Sequence, residues 1–141
     1  MSSVPCHYVD LRAFAYATED EKRVAEALQT YLPEETELER AESEGHYGDR
    51  IVVLSARVEN ADDIRHVLTQ VAAVDDLEAV LEELDDRVDD NCSFFLTFDK
   101  QAAFGNSVER GDGITLRAKV EAYPAKRETA IENAQDALSE L

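Results

Sequence analysis

The 141 residues are enough for one domain with a real core and too few for two ordinary ones, so a single domain over 1–141 is expected. Asp plus Glu number 32 against 14 Lys plus Arg, a formal net charge of −18, while apolar residues reach 44% and permit a packed interior. No run approaches the roughly 18 apolar residues of a membrane span, and the Met1-Ser2-Ser3 start has no apolar signal core. A membrane or conventionally secreted protein is therefore not expected. Cys6 and Cys92 cannot build a disulfide framework and suggest a reducing, cytoplasmic setting.

The charge itself asks for a reason, because a single-sign field of this size repels itself at low salt. Ten of the basic residues are Arg and four are Lys, and the acids are spread along the whole chain. That pattern suits molar salt, where screening shortens the repulsion range to about 3 Å. An acidic interaction protein of ordinary cytosol is the alternative, but a dedicated acidic tail would be one block. A halophilic reading makes the global charge a report on solvent, so it does not exclude nucleic acid as a partner.

In chain order, residues 7–16 alternate as a strand, with Val9, Leu11, Ala13 and Ala15 on one face. Thr18 and Glu21 have capping-box spacing for a helix carrying Val24, Ala27, Leu28, Tyr31 and Leu32 that ends at Pro33. Residues 36–43 alternate weakly as an edge strand, and Gly45-His46-Tyr47-Gly48 reads as a turn. Residues 50–59 form the clearest strand. Asn60 caps a helix to about residue 73, and Asp75 and Asp76 restart another through Leu77, Val80, Leu81, Leu84 and Val88. One unbroken helix over 61–88 keeps the same apolar phase. Strand 92–98, a polar segment from Asp99 to Gly113, strand 114–122 and a last helix from Pro124 to about residue 139 complete the chain. The order β-α-β-β-α-α-β-β-α is an α+β domain, an antiparallel-rich sheet with helices on one face.

Parity then defines the other face. With Val9, Leu11, Val52, Leu54, Phe94, Leu96, Leu116 and Val120 turned to the core, the opposite surface carries Tyr8, Arg12, Phe14, Tyr16, Ile51, Val53, Arg57, Phe95, Arg117 and Lys119. Asp10, Glu59 and Glu121 join it. Four bases against three acids departs from the chain's overall balance. Rings interleaved with Arg and Lys suit an unpaired RNA strand, whose bases stack while cations hold phosphates. The competing reading is a subunit contact, since Phe14, Ile51, Val53 and Phe95 also suit a buried dimer face.

Further bases flank turns: Arg50 after the Gly-His-Tyr-Gly turn, Lys100 with Gln101 after strand 92–98, and Lys126 with Arg127 at the last helix. Residues 117–127 hold Arg117, Lys119, Lys126 and Arg127 against one acid, Glu121.

Three of these stretches, Gly45–Gly48 before a strand, LTFDKQAAFG at 96–105 and KVEAYPAKRETA at 119–130, resemble an archaeal family of RNA-binding proteins and predicted exosome subunits, the DUF54 or PAB1135-like group. The acidic composition resembles its haloarchaeal members. The resemblance covers nearly the whole chain and implies a fold similar to ribosomal protein L5, an RNA role, and a place near the archaeal exosome. Its motifs fall on Gly45, His46, Tyr47, Gly48, Asp99, Lys100, Gln101, Lys126 and Arg127. The expected RNA-binding set is His46, Tyr47, Arg50, Lys100, Gln101, Arg117, Lys119, Lys126 and Arg127. Phosphate contacts are expected from Arg50, Lys100, Lys119, Lys126 and Arg127; stacking or polar contacts from Tyr47, His46 and Phe14. A homodimer is expected.

No catalytic set, cofactor or metal is expected. Cys6-His7 is adjacent rather than at ligand spacing, and there is no C-x-x-C, phosphate-binding loop or nucleophile elbow. Asp75, Asp76, Asp85, Asp86, Asp89 and Asp90 read as a solvated face. His46 with Asp49 and Asp99 is the one constellation worth testing for metal-dependent nuclease chemistry, the weakest of the three functional classes.

Overall fold

Alternation of burial along four strands, interrupted only by buried Ser93 at the start of one of them, fixes the architecture. In the computed structural model, Val9, Leu11, Ala13 and Ala15 are buried on β1 (Cys6–Ala15), and Val52, Leu54, Ala56 and Val58 on β3 (Arg50–Val58). Phe94, Leu96 and Phe98 of β4 (Ser93–Asp99) and Ile114, Leu116, Ala118 and Val120 of β5 (Gly113–Val120) complete that face. The structure describes residues 6–34, 36–45, 48–74, 76–105, 107–123 and 126–139. With β2 (Glu39–Glu44) the strands form one antiparallel sheet in the order β2-β3-β1-β5-β4.

Among the described residues there are six helices: α1 (Glu21–Gln29), α2 (Ala61–Ala72), α3 (Leu77–Glu82), α4 (Leu84–Arg87), α5 (Lys100–Phe104) and α6 (Arg127–Ser139), with α1 and α2 against β1, α4 against β4, and α5 and α6 against β5. The longer helices turn apolar residues inward at helical spacing, Val24, Ala27 and Leu28 from α1, Ile64, Val67, Leu68 and Val71 from α2 and Ala130, Ala134 and Leu138 from α6. Among the described residues no helix is long and apolar enough to cross a membrane.

The expected α+β order holds, with four local differences. Asp20, not Thr18, caps α1, its carboxylate accepting from the Lys22 N–H at 3.0 Å. The edge strand lies three residues further along, at Glu39–Glu44, and every one of its side chains is exposed. The continuous helix over 61–88 is absent: α2 ends at Ala72, and the next stretch breaks at Glu83, where backbone φ −93° and ψ 4° leave the helical region. The segment after β4 is not simply polar coil. Asp99 accepts from the N–H groups of Gln101 and Ala102 and so starts α5, a short helix against α1 and β5. Pro124 lies outside the described residues.

Candidate nucleic-acid interface

Side chains that share a register row lie side by side on an antiparallel sheet. On the face turned away from the helices, one row crosses four strands as Arg57, Asp10, Arg117 and Phe95. The next row runs Glu39, Ser55, Arg12, Thr115 and Thr97 across all five. All of these except Thr97 line an open depression of about 750 Å³. Arginine and ring are paired three times here. The Arg57 guanidinium lies 3.9 Å from the Tyr8 ring centre, that of Arg12 5.4 Å from Phe14, and that of Arg117 6.0 Å from Phe95. Phe14 in turn stacks on Tyr16, centroids 6.5 Å apart and planes 25° off parallel. Phe95 is 37% exposed and Tyr16 51%.

The three arginines differ in what neutralises them. Arg57 donates from Nε and Nη2 to both Asp10 oxygens, at 2.7 and 2.9 Å, and these hydrogen bonds raise its pKa above the ordinary value despite opposing desolvation. Arg12 and Arg117 have no carboxylate partner within ion-pair distance among the described residues; each rests on its ring instead. The depression is not uniformly cationic, however. Glu37, Glu39 and Glu59 line its β2–β3 side, leaving the free cations and the exposed Phe95 toward β5 and β4. The acid rim follows from the pairing of Glu39 with Ser55, which turns β2's odd-numbered residues to the open face. The weak alternation of β2 had concealed it.

Of the nine residues expected to touch RNA, the seven that are described are not brought together. His46 and Tyr47 lie outside the described residues. Arg50 is exposed at the hairpin end of the sheet, 3.5 Å from Glu21 and 3.6 Å from Glu42. Gln101 is exposed in the first turn of α5 at that same end. Lys100 beside it is only 7% exposed; its ammonium donates to Glu19 Oε1 at 2.7 Å and to the Phe14 carbonyl at 2.9 Å. Expected at the surface as a phosphate ligand, Lys100 is instead committed to the scaffold. Lys119, Lys126 and Arg127 lie at the opposite end of the strands, about 20 Å away by strand rise. There Lys119 donates to the Asn91 carbonyl, and Arg127 donates to the carbonyls of Val88, at 2.9 Å, and Asp85, tying α6 to the end of α4. Lys126 is exposed. Of the seven that are described, Arg117 alone lies centrally on the open face, beside Arg12, Arg57 and Phe95, which the expected set omitted.

The acidic run resolves into separate local roles. Asp76 accepts from Arg110 at 2.8 Å, and the Asp89 carboxylate accepts from the N–H groups of Asn91 and Ser93 in a turn that holds Cys92 at φ +62°. Asp99 caps α5, while the Asp49 carbonyl accepts from the Gly45 N–H. Among the described residues no three His, Cys, Asp or Glu side chains converge as metal ligands would. Burial, with the Glu121 charge adding to it, pushes the Cys6 thiol up to about 12, so it is protonated at neutral pH.

A family model described as RNA binding matches residues 8–120, from the first ring of the open face to the end of β5. The RNA-binding protein PAB1135 of Pyrococcus abyssi is 35% identical over 136 residues, spanning 89% of this chain and 88% of that protein. Among solved structures, Mth689, a DUF54 protein from Methanothermobacter thermautotrophicus, superposes with a TM-score of 0.82 at 39% identity, over 94% of this chain and 98% of that one. AF2318 from Archaeoglobus fulgidus, also DUF54, gives 0.85 at 29% identity, over 94% and 99%. The chain belongs to this RNA-binding family.

Proposed function

We propose that this chain is a non-catalytic RNA-binding protein that takes an unpaired stretch of RNA on its open sheet face. The observation that carries the reading is the pairing of Arg12 with Phe14 and of Arg117 with Phe95, cations without a carboxylate partner among the described residues, in a chain with more than two acids per base. Guanidinium planes and rings accept bases of any sequence, at roughly 1–3 kcal/mol per stacked base, and high salt does not abolish that contribution. Phosphate attraction does weaken at high salt, so rings and arginines together fit a salt-rich cytoplasm better than cations alone. Of the expected cations toward the ends of the sheet, Lys119, the register partner of Tyr8, is the one that shares the open face and would extend this contact to a phosphate. On the family resemblance, the proposal extends to RNA processing alongside the archaeal exosome.

The test is the affinity of labelled single-stranded RNA oligomers across KCl concentrations. Phe95→Ala is expected to weaken binding by about fivefold or more with little change in salt slope. Arg117→Ala is expected to lower the slope by about one. Equal affinity for both variants and the unaltered chain removes the sheet face from the reading.

A specific row favours a second reading. Ala41, Val53 and Phe14 are register partners, and Ile51 beside them is half-buried, which makes an apolar strip at the hairpin side of the same face. A second copy of the chain would cover it. Sedimentation at high salt separates the readings: Val53→Glu dissociates a dimer built on this strip and leaves the Arg117–Phe95 side unchanged.

A further inference from the structure

Lys100 opens α5 and is buried, yet three of its contacts converge on the exposed end of β1. Its ammonium donates to the Phe14 carbonyl at 2.9 Å and to Glu19 Oε1 at 2.7 Å, and lies 5.1 Å from the centre of the Tyr16 ring. The same Glu19 oxygen accepts from the Tyr16 N–H at 3.1 Å, and the Glu19 N–H donates to the Tyr16 carbonyl at 2.9 Å. Tyr16 is thus gripped on both sides of its backbone and along its ring. Space for this arrangement is built in: at Gly113, with φ +116°, an added Cβ would sit 2.5 Å from the Lys100 Cβ. The held ring stacks on Phe14, and Phe14 carries Arg12. A ladder runs from the buried ion pair to the free arginine of the open face.

We propose that Lys100, with Glu19 as its counter-charge, is a positioning residue that holds Tyr16 and Phe14 as a preformed stacking ledge for the end of an unpaired RNA strand; this rests on the RNA reading above. A ring at a strand terminus, half exposed, otherwise loses rotamer freedom when a base stacks on it, and a ledge fixed in advance avoids that loss. The ammonium fits the task chemically. It supplies separate donors to the carbonyl and the carboxylate while its charge faces the ring. Contacting a phosphate instead would strand the Glu19 carboxylate without its buried partner, which opposes that use of the lysine.

The experiment is a double-mutant cycle on the full chain in KCl, with a fluorescein-labelled single-stranded RNA decamer as probe and thermal unfolding as the folding control. Tyr16→Ala and Lys100→Met are each expected to weaken binding about five- to twentyfold, the double variant little further, and the salt slope to stay as in the unaltered chain. A slope lower by about one, or additive losses, makes Lys100 a phosphate ligand and overturns the proposal. So does unchanged affinity in Lys100→Met. Where Lys100→Met fails to fold, Glu19→Gln takes its place, with a smaller loss at unchanged slope expected. A second readout needs no RNA. The chain has no Trp, so Tyr16→Trp is a clean reporter, and its anisotropy is expected to fall when Lys100→Met is added. If the unaltered chain binds no RNA, the functional reading fails, whereas an unchanged anisotropy fails the positioning role alone.

Discussion

Arg57 on β3 takes both oxygens of Asp10 on β1, although Arg117 on β5 stands opposite the same aspartate on its other side. One carboxylate between two arginines can be chelated by one of them, and here it is Arg57, whose guanidinium also lies 3.9 Å from the Tyr8 ring centre. The asymmetry leaves Arg117 as the available cation and Arg57 as an internal strut of the face.

On the proposed RNA reading, Asp10 is expected to restrain binding as well as to order the face. Asp10→Asn removes a negative charge from the middle of the row and releases Arg57. RNA affinity at low salt is expected to rise about fivefold, and the slope of log affinity against log salt to steepen by about one. Titrations of the same RNA decamer at several KCl concentrations check both. Weaker binding at an unchanged slope would show that ordering Arg57 matters more than freeing it.

The Glu19–Lys100 pair makes a pH prediction. Burial acts to raise the Glu19 carboxyl, but the hydrogen bonds from Lys100 and the Tyr16 N–H outweigh it, and the group lies below the ordinary carboxylate range. A carboxyl whose folded pKa is depressed stabilises the fold fully above its unfolded pKa and loses that contribution as pH falls through the folded one. Stability measured by urea midpoint is therefore expected to be flat near neutrality and to fall below about pH 4.5, with at most about 1.4 kcal/mol per pH unit from this one proton. Glu19→Gln is expected to start lower at pH 7 and to have a shallower acid limb. An acid limb identical to that of the unaltered chain contradicts the assignment.

What the sequence could show was whatever repeats locally. Val9, Leu11, Ala13 and Ala15 alternate because one side of β1 faces helices, and that parity alone places Arg12, Phe14 and Tyr16 on the open side. Asn60 announces α2 because a cap is a contact between near neighbours, here a 2.9 Å bond from the Asp63 N–H. α5 escaped because five residues are too few for a helical period, even with Asp99 in place to cap it. At the Glu83 break the carboxylate receives Arg87 from the next turn and also Arg110 from 27 residues away, a partner no local pattern announces. Lys100 is the extreme case. Its counter-charge is 81 residues away, and no local pattern distinguishes a lysine bound for the interior from one bound for a phosphate.

Gly113 offers a test of how closely the clamp is packed. Alanine there meets both an unfavourable backbone angle, φ +116°, and the Lys100 Cβ at 2.5 Å. Strain and overpacking together are expected to destabilise Gly113→Ala by about 3 kcal/mol, read from denaturant midpoints. Gly105, at the end of α5, is the matched control. Its φ is −98° and an added Cβ would lie 3.6 Å from the Ala102 carbonyl, an ordinary contact, so Gly105→Ala is expected to be neutral or stabilising by about 0.5 kcal/mol. Similar losses in both variants would mean that the close approach of Gly113 to Lys100 is not what holds this end of the sheet.

The last expectation concerns the charge itself. With 32 acids and 14 bases the folded chain crowds more negative charge than the unfolded one, and the fully exposed β2 carries Glu39, Glu42 and Glu44 at a sheet edge. Screening relieves this repulsion as the Debye length shrinks from about 10 Å at 0.1 M salt to about 3 Å at 1 M. The thermal midpoint is therefore expected to rise on the order of 10 °C between 0.1 and 2 M KCl. Potassium chloride is the salt of choice, since sulfate would strengthen apolar burial in any protein. RNA binding is expected to persist over the same range, because the stacking proposed for the exposed Phe95 and Tyr16 is a contact that salt does not screen. A midpoint that stays level or declines across the KCl series would mean that the acids serve a partner rather than the solvent, and would move the search for that partner to the Glu37, Glu39 and Glu59 side of the open face.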